Sequence, residues 1–297
     1  TTVLGSGDHP MSEPEIDALV RAARSRTNVC GYNAFHTAGG FMLRPSSTRP
    51  DSTLPPFDIW VYNELGKVGV QHTGYPVHSV YEDLTWDKSD TMSGAGDDWA
   101  YEHLGVFGWT TEFCDIIFHV TGKHSPTDVW YVGPTPEQEL AVCKWTDTHA
   151  PGSYSPWKKF NHPQLGEIEI GGCDPIKTWS NAPASKLRDE VAPHVHFAIY
   201  QALASPRLEI KRANAEALGN GVYKVEIGIA NTGWLGTEIS EWAHKNKIVL
   251  PLTAEISGAT LVEGAPRVKL GQLDGRVKFR VSGDAKSDGT PDRVLQS

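Results

Sequence analysis

Ile16, Leu19, Val20 and Ala23 recur at helical spacing, which predicts an amphipathic helix over 13–25. Ser12-Glu13-Pro14-Glu15 precedes it as an S-x-x-E capping box, with proline in the first turn where its missing N–H is tolerated. Residues 29–36 read as a buried strand ending at His36, and Gly39-Gly40 turns the chain away. Further helical stretches are expected at 57–66, 136–147 and Ser185–Leu203, the last closed by Ser205-Pro206. The segment Gly105–Phe118 is too apolar for surface loop, and its first half suggests a strand carrying Glu112. Leu165–Ile170 is another expected strand.

After Pro206 the pattern changes. Leu208-Glu209-Ile210, Val222–Ile229, Ile248–Leu252 and Val277–Val281 are β-rich runs separated by Gly and Asn turns, which suggests a small β-sandwich. A last strand is expected to begin within Asp292–Ser297. Charge divides the chain at the same place. Residues 1–206 hold 14 Lys+Arg against 25 Asp+Glu, and residues 207–297 hold 13 against 11. Two domains are therefore expected, 1–206 and 207–297.

The net charge of −9 speaks against nonspecific nucleic-acid binding, which needs a basic surface. No apolar run approaches the roughly 20 residues of a membrane span. The four cysteines, Cys30, Cys114, Cys143 and Cys173, form no C-x-x-C pair and leave the compartment open. Cys30 and Cys114 lie in apolar segments and read as buried hydrophobes. Trp99, Trp109 and Trp145 lie in apolar segments too and read as core.

The candidate chemistry lies at His36 and Glu112. A hydrolytic zinc site needs three protein ligands, an open position for water, and a carboxylate to move that water's proton. A histidine at the end of a strand suits the first role, and a glutamate on an apolar strand, its pKa raised by burial, suits the last. Taken singly, each is more often structural: a lone histidine after a strand, or a paired or edge-strand glutamate.

The surrounding residues change those odds. The capping segment Ser12–Glu15, the strand into Phe35-His36-Thr37, and Leu43-Arg44-Pro45 beyond it resemble the part of the carboxypeptidase A/B family of zinc metallocarboxypeptidases that supplies the third zinc ligand. Ser93-Gly94-Ala95-Gly96-Asp97-Asp98-Trp99-Ala100-Tyr101 resembles that family's substrate-pocket loop, and the interval from Tyr101 to Glu112 is similar to its spacing to the general base. Val225–Gly233 looks like accessory domains of bacterial members. The resemblance implies an α/β catalytic domain with a mixed sheet followed by a small β-sandwich, with Zn²⁺ as cofactor and peptide or protein C-termini as partners. It implies His36 as a zinc ligand, Glu112 as general base, and Asp97 at the base of the pocket for the C-terminal side chain. A carboxylate there would favour Lys or Arg. Asp98 is expected to anchor the loop. The resemblance also favours a secreted or periplasmic location.

The match has gaps. The family's H-x-x-E element is not found among the twelve histidines; His9 and Glu13 are one residue too far apart. The arginine pair and asparagine that hold the substrate's terminal carboxylate have no counterpart either. The expectation is that Thr1 is not the start of the catalytic domain, that the remaining zinc ligands lie outside this chain, and that the chain alone is inactive. If so, an unpaired sheet edge and an apolar face should lie beside His36 and Glu112. Counting back from Asp98-Trp99 for the family's mobile tyrosine reaches Asp90, so Tyr81 is the candidate if the loop is longer here. His194 and His196, two apart on a helix, cannot chelate one ion. His119 and His124 read as surface residues, and His149 and His162 as loop residues. Two rival readings stand: a peptidase-like module that binds peptide C-termini or a protein partner without catalysis, and a zinc amidase acting on cell-wall peptides or acylated amino acids.

Overall fold

A computed structural model describes residues 7–85, 87–89, 91–124 and 132–278. The chain opens with α1 (Pro14–Arg24), then β1 (Gly31–Thr37), β2 (Phe41–Arg44), α2 (Pro56–Thr73) and β3 (Val77–Ser79). A short helix α3 (Gly96–Trp99) runs into a wider turn over Ala100–Leu104 and leads to β4 (Phe107–Phe113) and α4 (Ile116–Thr121). Next come α5 (Pro136–His149), the hairpin β5 (Tyr154–His162) and β6 (Gly166–Cys173), α6 (Pro175–Thr178) and the long α7 (Ala184–Ala204). The last part holds β7 (Leu208–Gly219), β8 (Val222–Asn231), α8 (Glu241–Asn246), β9 (Leu252–Glu255) and β10 (Arg267–Gly271).

The central sheet has the order β1-β4-β2-β3 and is mixed. β1 runs parallel to β4 and β2 parallel to β3, while β2 and β4 are antiparallel. The fold is thus mixed α/β, with a β-rich part after residue 206 built from the antiparallel pairs β7–β8 and β9–β10.

α2 and α7 cover one face of the sheet. Trp109, Val61 and Tyr62 are fully buried there, with Leu65 and Phe197 beside them. α2 continues past the expected end at residue 66 because its two glycines are packing sites. A Cβ on Gly69 would lie 2.8 Å from the Met42 methyl, and one on Gly66 3.2 Å from Val77. The helix can therefore sit directly on β2 and β3.

The division of the sequence at residue 206 does not interrupt this core. Leu235, Ile239 and Val277 belong to the same cluster as Met42 and Trp109. Asp58 on α2, fully buried, accepts hydrogen bonds from the Glu241 and Trp242 amides at the start of α8 (2.7 and 2.9 Å) and from the Tyr101 hydroxyl (2.7 Å). Ser240 donates to the Gly105 carbonyl at 2.7 Å, and the Arg49 guanidinium lies 4.6 Å above the Trp242 ring.

Several expectations are corrected. The Ser12–Glu15 capping box does not form: Glu13 is the N-cap, with no side-chain cap, and Ser12 bonds to the Glu13 carboxylate instead. Of the apolar face of α1 only Val20 is buried, while Ile16 and Leu19 are exposed. β1 is a half-exposed edge strand rather than a buried one, because among the described residues it is paired on one side only. The run Ile248–Leu252 becomes strand only from Leu252. Arg276–Lys278 is a turn of 3-10 helix; residues 279–281 of that expected strand, and the strand expected within Asp292–Ser297, lie outside the described residues. His162 ends β5 rather than lying in a loop.

Candidate active site

Parallel pairing sets β1 and β4 in register, Tyr32 opposite Gly108, Ala34 opposite Thr110 and His36 opposite Glu112. Since side chains alternate along a strand, these six share one face of the sheet. Trp109, Thr111 and Phe113 point the other way, into the helical layer. His36 and Glu112 are thus neighbours by construction, with His36 Nδ1 4.0 Å from Glu112 Oε1. The Glu112 backbone is fixed from two strands, since its carbonyl also accepts the Gly40 amide at 2.6 Å.

α3 lies over this face. Gly108 makes that possible, because a Cβ there would meet the Asp97 carbonyl oxygen at 2.5 Å and its Cα at 2.9 Å. Asp97 is buried beneath the helix, where one carboxylate oxygen accepts the Asp98 amide at 3.1 Å and Thr110 donates from below. Its Oδ2, like Oε2 of Glu112, is buried without a hydrogen-bond partner among the described residues. Burial raises the pKa of Asp97. Glu112 is pushed up to about 7, first by desolvation and then by the negative charge of Asp97. Two buried carboxylates, each with an orphaned oxygen, form a region that attracts protons or cations.

Asp98 turns away from this face and accepts the Ser47 amide on both oxygens, at 3.1 and 3.0 Å. Its pKa also rises, to about 6, chiefly through desolvation, with the Ser47 amide opposing and Asp97 adding to the shift. The expected anchoring role fits this geometry, for Asp98 ties α3 to the loop after β2. The same loop reaches Tyr81, whose amide donates to the Ser46 carbonyl at 2.9 Å. The Tyr81 ring is half-exposed and lies 4.4 Å from Lys88 Nζ. Asp90 lies outside the described residues.

Sequence reasoning missed Tyr32, Ser47 and Thr110. Period-two alternation from His36 and Glu112 would have placed Tyr32 and Thr110 on the shared face. Ser47 carried no signal of its own. The histidines at 119 and 124 are half-buried and paired rather than free on the surface. His119 Nε2 lies 2.5 Å from Glu190, and His124 Nδ1 lies 3.2 Å from Asp115. His194 is buried against Tyr75 and Phe113, and desolvation lowers its pKa to about 4, while His196 stacks on His72.

Comparison with known proteins bears on this face directly. A family model described as zinc carboxypeptidase matches residues 2–127, which span β1, α3 and β4. This part of the chain is similar to the zinc carboxypeptidase family. A second model, described as a domain of unknown function (DUF8731), matches residues 207–290. No curated protein matches the chain. Among solved structures, the crystal structure of thrombin activatable fibrinolysis inhibitor (TAFI) is similar at 24% identity over 46% of this chain, with a TM-score of 0.30. The matched part spans 33% of that structure's chain.

A zinc carboxypeptidase requires a complete ligand set, and the residues described here do not supply one. Among the described residues no group of three or more His, Cys, Asp or Glu side chains is placed to hold a metal. His36 and Glu112 fit the edge of such a site, and the orphaned oxygens of Glu112 and Asp97 suit a nearby cation. They do not amount to a zinc centre. Among the described residues no helix is long and apolar enough to cross a membrane.

Proposed function

We propose that this chain carries part of the catalytic domain of a zinc metallocarboxypeptidase that removes C-terminal residues from peptides. The observation that supports this most is the in-register pairing of His36 with Glu112 beneath Asp97, within the segment that matches the family. In this reading Glu112 is the general base. A carboxylate titrating near 7 can take a proton from the attacking water and pass it to the departing amine. His36 is one zinc ligand, and the others are contributed by residues outside this chain. Tyr81 closes over the bound peptide. Asp97 favours Lys or Arg, because its unpartnered oxygen is satisfied by a cationic side chain. A secreted or periplasmic location accompanies the reading.

The position of β1 supports an incomplete sheet. β1 ends the sheet order, and Phe35 on it is 59% exposed. On α7, Leu187, Val191, Val195, Ile199 and Leu203 form an exposed apolar row at intervals of four. An unpaired edge and an apolar helix face of this kind suit further sheet and helix packed against them.

The test is hydrolysis of peptides ending in Lys, Arg or Phe, with Zn²⁺ added. The purified chain is expected to show no zinc-dependent activity. The residues encoded before Thr1 are expected to include His-x-x-Glu and an Asn-Arg pair. A polypeptide that includes them should be active and prefer Lys or Arg, and Glu112→Gln in it should lose at least about 10²-fold in kcat. Hydrolysis by the 297-residue chain itself would overturn the inactivity. A start codon directly before Thr1 would favour the binding module instead.

A further inference from the structure

We propose that Cys143 and Cys173 form a disulfide that ties the β5–β6 hairpin to α5. The two sulfurs lie 2.7 Å apart, although the residues are remote in sequence. A covalent S–S bond is about 2.05 Å long, so bonding needs a shift of well under an ångström.

Both partners are held in place by their backbones. Cys143 follows the fully buried Val142 on α5, whose first turn is closed by a capping box between Thr135 and Gln138. Cys173 is the last residue of β6, paired with Tyr154, and the next amide, of Asp174, donates to the Ser153 carbonyl at 2.7 Å. Both cysteines are half-buried, so a small thiol or disulfide can reach them. Cys30 and Cys114 are differently placed: the Cys30 sulfur faces the Asn28 carbonyl, and Cys114 is buried with its thiol pushed up to about 12 by burial.

The hairpin has reason to need such a tie. Tyr154, Trp157, Phe160, Leu165 and Ile170 are all exposed on it, so little apolar burial fixes it to the body. Two-stranded hairpins are marginal by themselves.

The oxidant is a disulfide, either of glutathione or of a protein. One cysteine thiolate attacks a sulfur of that disulfide, forming a mixed disulfide and releasing the first thiolate. The second cysteine thiolate then attacks the cysteine sulfur of the mixed disulfide and releases the other. Two electrons pass to the acceptor, and the two cysteine protons end on the two released thiols. This inference does not depend on the peptidase reading, since neither cysteine touches the site of Asp97 and Glu112.

The test uses the full chain, equilibrated with reduced and oxidised glutathione, then denatured and alkylated without a reductant. Two alkylated cysteines are expected, Cys30 and Cys114, with an intact mass two hydrogens short per disulfide and a cross-linked peptide containing Cys143 and Cys173. Cys143→Ser and Cys173→Ser should each abolish that peptide. Adding a reductant to the folded wild-type chain should speed tryptic cleavage after Lys158 and Lys159 several-fold. Four alkylated cysteines in the wild-type chain, or a cross-link through Cys30 or Cys114, would overturn the proposal whether or not the variants fold.

Discussion

Asp58 offers the sharpest test of how the two parts of the chain depend on each other. Its carboxylate is fully buried and accepts from three donors: the Tyr101 hydroxyl and the Glu241 and Trp242 amides. Asp58→Ala leaves all three in the interior without an acceptor. At about 1–3 kcal/mol for each unsatisfied donor, and with partial hydration of the opened α8 terminus, the expected loss is about 4 kcal/mol. Asp58→Asn keeps one acceptor oxygen but turns an NH2 group toward the remaining donors, so about 2 kcal/mol is expected. Burial also raises the pKa of Asp58, against the opposing donation from Tyr101, Glu241 and Trp242. The protonated form is therefore favoured by folding. That contribution is complete below the ordinary value of 3.8 and is lost as pH rises through the folded value, so the asparagine variant should lack it. Urea unfolding followed by tryptophan fluorescence at several pH values measures both effects. The reasoning is refuted if Asp58→Ala stays within about 0.5 kcal/mol of the parent, the range of an ordinary surface substitution.

Asp98, 7% exposed, titrates at about 6 in the fold against an ordinary 3.8. Protonation here too favours the folded chain, which should lose up to about 3 kcal/mol as pH rises from about 4 to 6; Asp98→Asn should flatten unfolding measured across that range. Gly108→Ala drives a methyl into the Asp97 backbone and should cost about 3 kcal/mol in urea unfolding. An undisturbed midpoint would mean that α3 does not rest on β4 as described.

Much of the architecture was legible because local signals agreed with tertiary need. β4, α5 and α7 fall where periodicity placed them, and Glu112 sits on the apolar strand expected for it. The failures have separate causes. Composition suggests a buried β1, whereas burial depends on how many neighbours a strand has, and among the described residues β1 has one. Gly66 and Gly69 weaken a helical pattern when read locally, yet α2 needs both to approach β2 and β3. β5 carries Pro156 and two lysines among its aromatics, so it lacks a clean alternation and was not anticipated. The candidate face was readable in its two principal members. Tyr32 and Thr110 follow from His36 and Glu112 by period-two alternation, but that the two strands lie side by side in this register is not revealed by either strand's sequence. Ser47 enters through its amide, a group every non-proline residue possesses.

The one-sided pairing of β1 also governs how durable the His36–Glu112 arrangement is. A strand with a single hydrogen-bonded ladder can peel away without unfolding the sheet, so its amides belong to the fast-exchanging end of the stability range. Glu112, between two strands, stays behind when that happens. The candidate site can thus come apart while circular dichroism and melting temperature scarcely change. A second ladder on the outer edge of β1 would slow that opening and lengthen the time for which the two side chains remain opposed.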